Sequence, residues 1–195
     1  MKLKVLGSGS SGNCYILSTP TGSLILDVGL PWKVIQKGLN FDLSGVIGAL
    51  VTHEHKDHSK AIKEATLAGI DCYMSMGTVK TMESIKNHRL MPVISGMQFD
   101  IQDFTVLPFD VQHDAEQPLG FIIQYRPTGE KLLYLTDSYY CKYRFKGLNY
   151  ILIESNYCKD ILDHNIEAGL IEEAMKRRLL ESHMSLDHCK DFLKA

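Results

Sequence analysis

The sequence predicts an α/β protein of four layers, αββα, in which two β-sheets face each other and each carries helices on its outer side. Three observations lead there. Apolar strand-length runs and amphipathic helical stretches follow in the order strands, helices, strands, helices, and each sheet of such a chain needs a helical layer on its second face. The 195 residues are 45% hydrophobic, and a chain of this length buries roughly two thirds of the surface its unfolded form exposes. No Ser/Pro-rich linker or tandem repeat divides the chain, so residues 1–195 are read as a single domain.

Leu3–Leu6 and Tyr15–Ser18 read as strands around the loop Gly7-Ser8-Gly9-Ser10-Ser11-Gly12-Asn13. Leu24–Val28 is a third strand, ending at Asp27 and Gly29. Pro31 suits the first turn of a helix over Trp32–Leu39, where its missing N–H costs nothing. Val46–Thr52 is an apolar strand that stops where histidines begin. His58–Ala68 is expected as one helix, with Ala61, Ile62, Ala65 and Ala68 on one face and Gly69 ending it. Cys72–Met74 is a short strand and Thr78–His88 a second helix. Beyond Pro92, strands are expected at Phe104–Phe109, Phe121–Tyr125, Leu132–Thr136 and Tyr150–Glu154, punctuated by turns such as Pro127-Thr128-Gly129. Helices over Ile166–Leu180 and Leu186–Lys194 close the pattern.

Composition narrows the function. Twenty-one Lys and Arg against 23 Asp and Glu leave a formal charge of -2, which argues against coating nucleic acid by bulk charge and leaves a local basic groove open. No run approaches the roughly 18 apolar residues of a membrane span, and the N-terminus lacks a signal-peptide core, so a cytoplasmic location away from membranes is expected. The five cysteines are scattered without a CxxC pair. They suit a reducing compartment and small buried hydrophobes, not a disulfide framework or a thiolate zinc site.

The segment that carries chemistry is Thr52-His53-Glu54-His55-Lys56-Asp57-His58. Imidazole is the commonest metal ligand in proteins, and zinc accepts nitrogen and oxygen donors together. In extended backbone His53 and His55 project to the same side and can grip one ion. Asp57 and His58 come round the turn into the next helix and can reach a second. A solvated turn with Asp57 as a helix cap is the plainer alternative, but a cap needs one such residue and not this density. His113 and Asp137 follow strands closely, where backbone is held still, and extend the candidate set.

His53-x-His55-x-Asp57-His58, then His113, then Asp137, resembles the signature of the metallo-β-lactamase superfamily, in the same order. The likeness extends to its YycJ-like branch, which is associated with exonuclease activity on DNA. It rests on the Gly7–Asn13 loop, on His113-Asp114-Ala115 before a Gly-Phe strand, on Glu154-Ser155-Asn156, and on Arg178 ahead of His183-Met184-Ser185. The resemblance spans Leu3 to about Cys189. It implies a metallo-β-lactamase-like αββα sandwich, with His53, His55 and His113 on one metal, Asp57 and His58 on another, and Asp137 bridging. It further implies that His183 protonates a leaving group while Glu154 orients it, as in related ribonucleases of the superfamily.

One departure stands out. Members of that branch continue into a further strand and a His-Leu-Ser segment whose histidine completes the second metal's shell; here the sequence stops at Ala195. His183 in that place, an open second site, or a shortened version are the alternatives, and an uncovered sheet edge invites pairing with another chain.

Two divalent cations, zinc first and manganese second, would stabilise a hydroxide shared between them and attract an anionic substrate. The expected activity is therefore that of a phosphodiesterase or nuclease acting on DNA. A hydrolase of small cyclic phosphodiesters, thioesters or lactams is the second reading, and a metal-binding protein with little activity the third. Ser10, Ser11 and Asn13 offer a substrate-side loop, against the plainer role of a tight strand connection; Arg178 is a further substrate candidate within the basic run Lys176-Arg177-Arg178. Lys142, Arg144 and Lys146, interleaved with Tyr139, Tyr140, Tyr143 and Phe145, could guide a nucleic-acid strand or form an ordinary surface loop. His88, His164 and His188 are read as facing solvent.

Overall fold

The computed structural model describes residues 1–82 and 84–194. Its first sheet consists of β1 (Lys2–Gly7), β2 (Cys14–Thr19), β3 (Gly22–Leu26), β4 (Val46–Leu50), β5 (Cys72–Ser75) and β6 (Leu90–Val93), side by side in chain order. The first three strands meander antiparallel. From β3 onward the pairing is parallel, because helices carry the chain back each time: α1 (Trp32–Gly38), then α2 (Lys56–Ser59) with α3 (Ile62–Leu67), then α4 (Met76–Thr81).

The second sheet holds β7 (Phe99–Ile101), β8 (Phe104–Asp110), β9 (Leu119–Tyr125), β10 (Lys131–Leu135) and β11 (Tyr150–Ile153), ordered β11-β10-β9-β8-β7. Only β10 and β11 pair in parallel. Helices α5 (Lys159–Glu167), α6 (Glu173–Ser182) and α7 (Leu186–Lys194) follow.

Alternation along the strands builds the layers, since successive side chains point to opposite faces. Leu24 and Leu26 join Tyr15, Leu17 and Leu50 in packing between the sheets against Phe104, Val106, Phe121 and Tyr134. Ile25, on the other face of β3, packs with Ile35, Ile62 and Ala65 of the helical layer. Leu133 and Leu135 likewise turn outward to Met184 and Cys189. Each such large side chain stabilises the fold by roughly 1.5–3 kcal/mol through burial.

Three expected helices differ in outline. The stretch His58–Ala68 breaks into α2 and α3 at Ala61 (φ -101°). The reason is Val28, whose N–H donates to the His58 carbonyl and whose carbonyl accepts from the Ala61 N–H, tying this turn to the end of β3. Ala68, just past α3, is exposed, and Thr66 takes its expected place in the core, its hydroxyl donating to the Ile62 carbonyl. The stretch Ile166–Leu180 divides at Gly169, whose φ of +70° suits glycine, and the chain re-enters a helix at Glu173. The expected Thr78–His88 helix starts earlier, at Met76, behind the Ser75 cap, and ends at Thr81. Glu83, within that expected span, and Ala195 lie outside the described residues. Strands β6 and β7 were not expected. Pro92 masks β6, and it is tolerated there because β6 is an edge strand.

Candidate metal centre

The strands end on one rim. Asp27 follows β3, Thr52 and His53 follow β4, His113 follows β8, Asp137 follows β10, and Glu154 follows β11. Backbone hydrogen bonds hold this rim. Asp27 N–H donates to Leu50, Leu119 N–H to Thr52, and Glu154 N–H to Leu135. The second of these joins the two sheets directly beneath the histidines. Glycine makes room as well: a Cβ on Gly29 would stand 1.7 Å from the Asp57 carbonyl oxygen.

Three of the imidazoles are turned by a partner on the far side, and the fourth, His55, has its Nδ1 3.2 Å from His113 Nε2. His113 Nδ1 donates to the Ser182 carbonyl at 2.9 Å, an oxygen that can only accept, so Nε2 presents its lone pair to the site. His58 Nδ1 lies 2.7 Å from Asp27 Oδ2, which aims Nε2 at Asp137 Oδ2, 3.1 Å away. His53 Nδ1 meets the Thr52 hydroxyl at 3.0 Å, while its buried Nε2 has no hydrogen-bond partner. Burial, reinforced by the charge on His58, holds His53 well below the ordinary histidine range. Burial also lowers His113, although Asp137 opposes it. Neutral rings with inward lone pairs are what a cation needs from histidine.

Three groups of donor atoms lie within 4.8 Å of one another: His53, His55 and His113; His53, His58 and Asp137; and Asp137, Glu154 and His183. The donors therefore fit divalent metal, and the partnerless Nε2 of His53 is the most direct sign of it. Burial of Asp137 works against its charge, yet the hydrogen bond and charge of His58 outweigh this and hold the carboxyl below the usual carboxylate range. Asp57 stands at the mouth, 3.7 Å from His58 Nε2 and about one third exposed. His183 Nδ1 sits 2.6 Å from Glu154 Oε1. Burial pulls this histidine down, but the Glu154 hydrogen bond and charge prevail and raise it.

A cleft of about 960 Å³ opens over these groups, walled by Ser10, Asn13, Asp57, Glu154, Arg178 and His183 among others. Asn13 is buried, with its amide nitrogen 3.0 Å from His58 Nε2 and its Oδ1 accepting from the Gly9 N–H. Ser11 is exposed on the same loop, off the cleft wall. Arg178 is exposed, its Nε 3.6 Å from Asp114. The Tyr139–Lys146 segment divides in two. Tyr143 and Phe145 pack against Phe109 in the outer core, so these rings are not free to stack on bases; Tyr139 and Tyr140 remain exposed. His88, His164 and His188 are exposed.

Sequence reasoning missed Asp27 and Tyr134. Asp27 is fully buried with φ +56°, and it accepts from the Thr52 N–H and hydroxyl and from the Tyr134 hydroxyl while holding His58. Its position just past a strand, ahead of Val28-Gly29, was the available signal.

Paired sheets flanked by helices, with histidines and carboxylates gathered at their strand ends, define a metallo-β-lactamase type of fold. The chain belongs to the metallo-β-lactamase superfamily, matching the family described as "Beta-lactamase superfamily domain" over residues 35–194. It is 30% identical over 194 residues to "Exodeoxyribonuclease YycJ" of Bacillus anthracis, the match covering 92% of this chain and 70% of that protein. Identity to "Exodeoxyribonuclease WalJ" of Streptococcus pneumoniae serotype 2 is 29% over 203 residues, covering 94% and 72%. Among solved structures, human tRNase Z, short form, superposes with a TM-score of 0.68 at 16% identity, covering 100% of this chain and 88% of that one. The metallo-β-lactamase fold protein YhfI of Bacillus subtilis gives 0.66 at 16%, covering 80% and 72%. Among the described residues no helix is long and apolar enough to cross a membrane.

Proposed function

We propose that the chain is a metal-dependent phosphodiesterase that degrades DNA in the manner of an exonuclease, acting in the cytoplasm as one domain with two divalent ions, zinc first and manganese second. The observation that carries this reading is the buried Nε2 of His53, without a partner and shared by two donor groups whose members His55, His113 and Asp137 line an open cleft. The names borne by the two bacterial relatives support DNA as the substrate.

His53, His55 and His113 would hold one ion, Asp57 and His58 the other, with Asp137 between them. Bound ions would supply Lewis acidity and a water activated near neutral pH. The protein's own groups then divide the remaining work. His183 directs its Nδ1 proton at Glu154 and donates from Nε2 to the departing oxygen; the Glu154 hydrogen bond and charge, prevailing over burial, favour the protonated ring. Ser10, Asn13 and Arg178 line the cleft where phosphates of the strand would lie, with Ser11 next along the loop.

The test is incubation of purified protein with labelled single- and double-stranded DNA, alongside elemental analysis of bound metal. Two ions per chain and cleavage abolished by His53→Ala are expected. One tight ion without turnover would support a binding protein instead. DNA left intact while a cyclic phosphodiester, thioester or lactam is hydrolysed would support the small-molecule reading.

A further inference from the structure

A second cavity, of about 550 Å³, adjoins the metal cleft and shares His113 and Arg178 with it as common walls. Its size falls in the range of small-molecule sites. The other walls include Tyr139, Gln112, Arg177, Asp114 and Glu181. Tyr139 is the notable member. It follows Asp137 by two residues and is 37% exposed. Its backbone is fixed, because its N–H donates to the Gln112 carbonyl while Ser138 Oγ accepts from the Gln112 N–H. An aromatic ring is thus held at a set distance along the chain from a candidate metal ligand.

The charges choose the occupant. Arg178 stands 3.6 Å from Asp114, and Arg177 and Glu181 share the wall, so two positive and two negative side chains balance and the cavity does not favour a phosphate. A neutral heterocycle with donor and acceptor edges suits it better. Gln112 and the carboxylates can accept from ring N–H and exocyclic amino groups, the arginines can donate to ring nitrogens and carbonyls, and Tyr139 offers a face for stacking. Metal cleft and cavity stand side by side, as a phosphodiester and its own base do in an unpaired strand.

We infer that this cavity is a nucleobase subsite, in which Tyr139 stacks on an unpaired base next to the diester held at the metal cleft. The inference rests on the nuclease reading above.

Fluorescence polarisation tests it on zinc-loaded full chain with two short phosphorothioate-linked oligonucleotides, one of thymidine and one of abasic residues with the same backbone. The wild type is expected to favour the thymidine oligomer by about tenfold, the scale of one stacked base. Tyr139→Phe should keep that ratio, and both Tyr139→Ala and Tyr139→Leu should bring it close to one; melting curves of the three variants confirm folding. A ratio that survives Tyr139→Ala, or a wild type that binds both oligomers alike, overturns the subsite alone. A wild type that binds neither oligomer overturns the nuclease reading with it.

Discussion

Asp27 Oδ2 lies 2.7 Å from Nδ1 of His58, and both side chains are wholly buried. The contact spans the end of β3 and the start of α2, and it dictates which ring nitrogen of His58 faces Asp137. A carboxylate behind a metal-facing imidazole fixes its tautomer and raises its basicity. Asp27→Asn should therefore weaken metal binding by about 10–100-fold while leaving His58 in place. Competition with a chelating dye measures it; unchanged affinity would remove Asp27 from the site.

The same pair predicts proton release. Burial disfavours a charged His58, but Asp27 and Asp137 prevail and push it up to about 10 in the metal-free protein. Its unfolded value is about 6.5. The stabilisation is thus fully present below about 6.5 and is lost as pH rises toward 10. Melting temperatures of metal-free protein should fall across that window. At pH near 8, loading with zinc should expel a proton from each chain, which calorimetry in buffers of different ionisation enthalpy detects.

His183 should titrate above about 6.5 in metal-free protein, because Glu154 favours its charged form over the opposing effect of burial. Nuclear magnetic resonance of the ring protons reads the midpoint directly. Glu154→Gln should lower it, since the amide keeps an acceptor and loses the charge. If His183 supplies the leaving-group proton, His183→Ala should slow cleavage by about 10²–10⁴-fold.

Gly29→Ala should harm both stability and metal binding. The added methyl would meet the Asp57 carbonyl at 1.7 Å, with His58 N at 2.8 Å, so backbone must move rather than a side-chain tip. A loss of about 1–3 kcal/mol in chemical denaturation is expected, accompanied by lower metal occupancy. Full occupancy in a stable variant would mean the turn adapts without shifting its ligands.

Much of this protein is legible in its residues taken in order. The density of imidazole and carboxylate from His53 to His58 announces a candidate cation site, and continuous apolar runs, as in Leu24-Ile25-Leu26, announce strands with two covered faces. Helix ends were less legible. Val28 breaks a helix from 30 and 33 residues away in chain order by capturing groups of His58 and Ala61, and no local propensity encodes that. Tyr143 and Phe145 show the same limit. Read beside lysines and arginines they suggest a stacking surface, yet Phe109 on a distant strand draws them into the core.

Sequence alone determined which groups are available, in what order, and on which strand ends, because these follow from local spacing and alternation. Tertiary structure alone decided that Asp27 stands behind His58, that Ser182 turns His113, and that Tyr139 lines a cavity beside the metal cleft. Those contacts join residues separated by 31, 69 and 26 or more positions. Such pairs meet only when two sheets have packed face to face, since it is burial that brings their strand ends to a common rim.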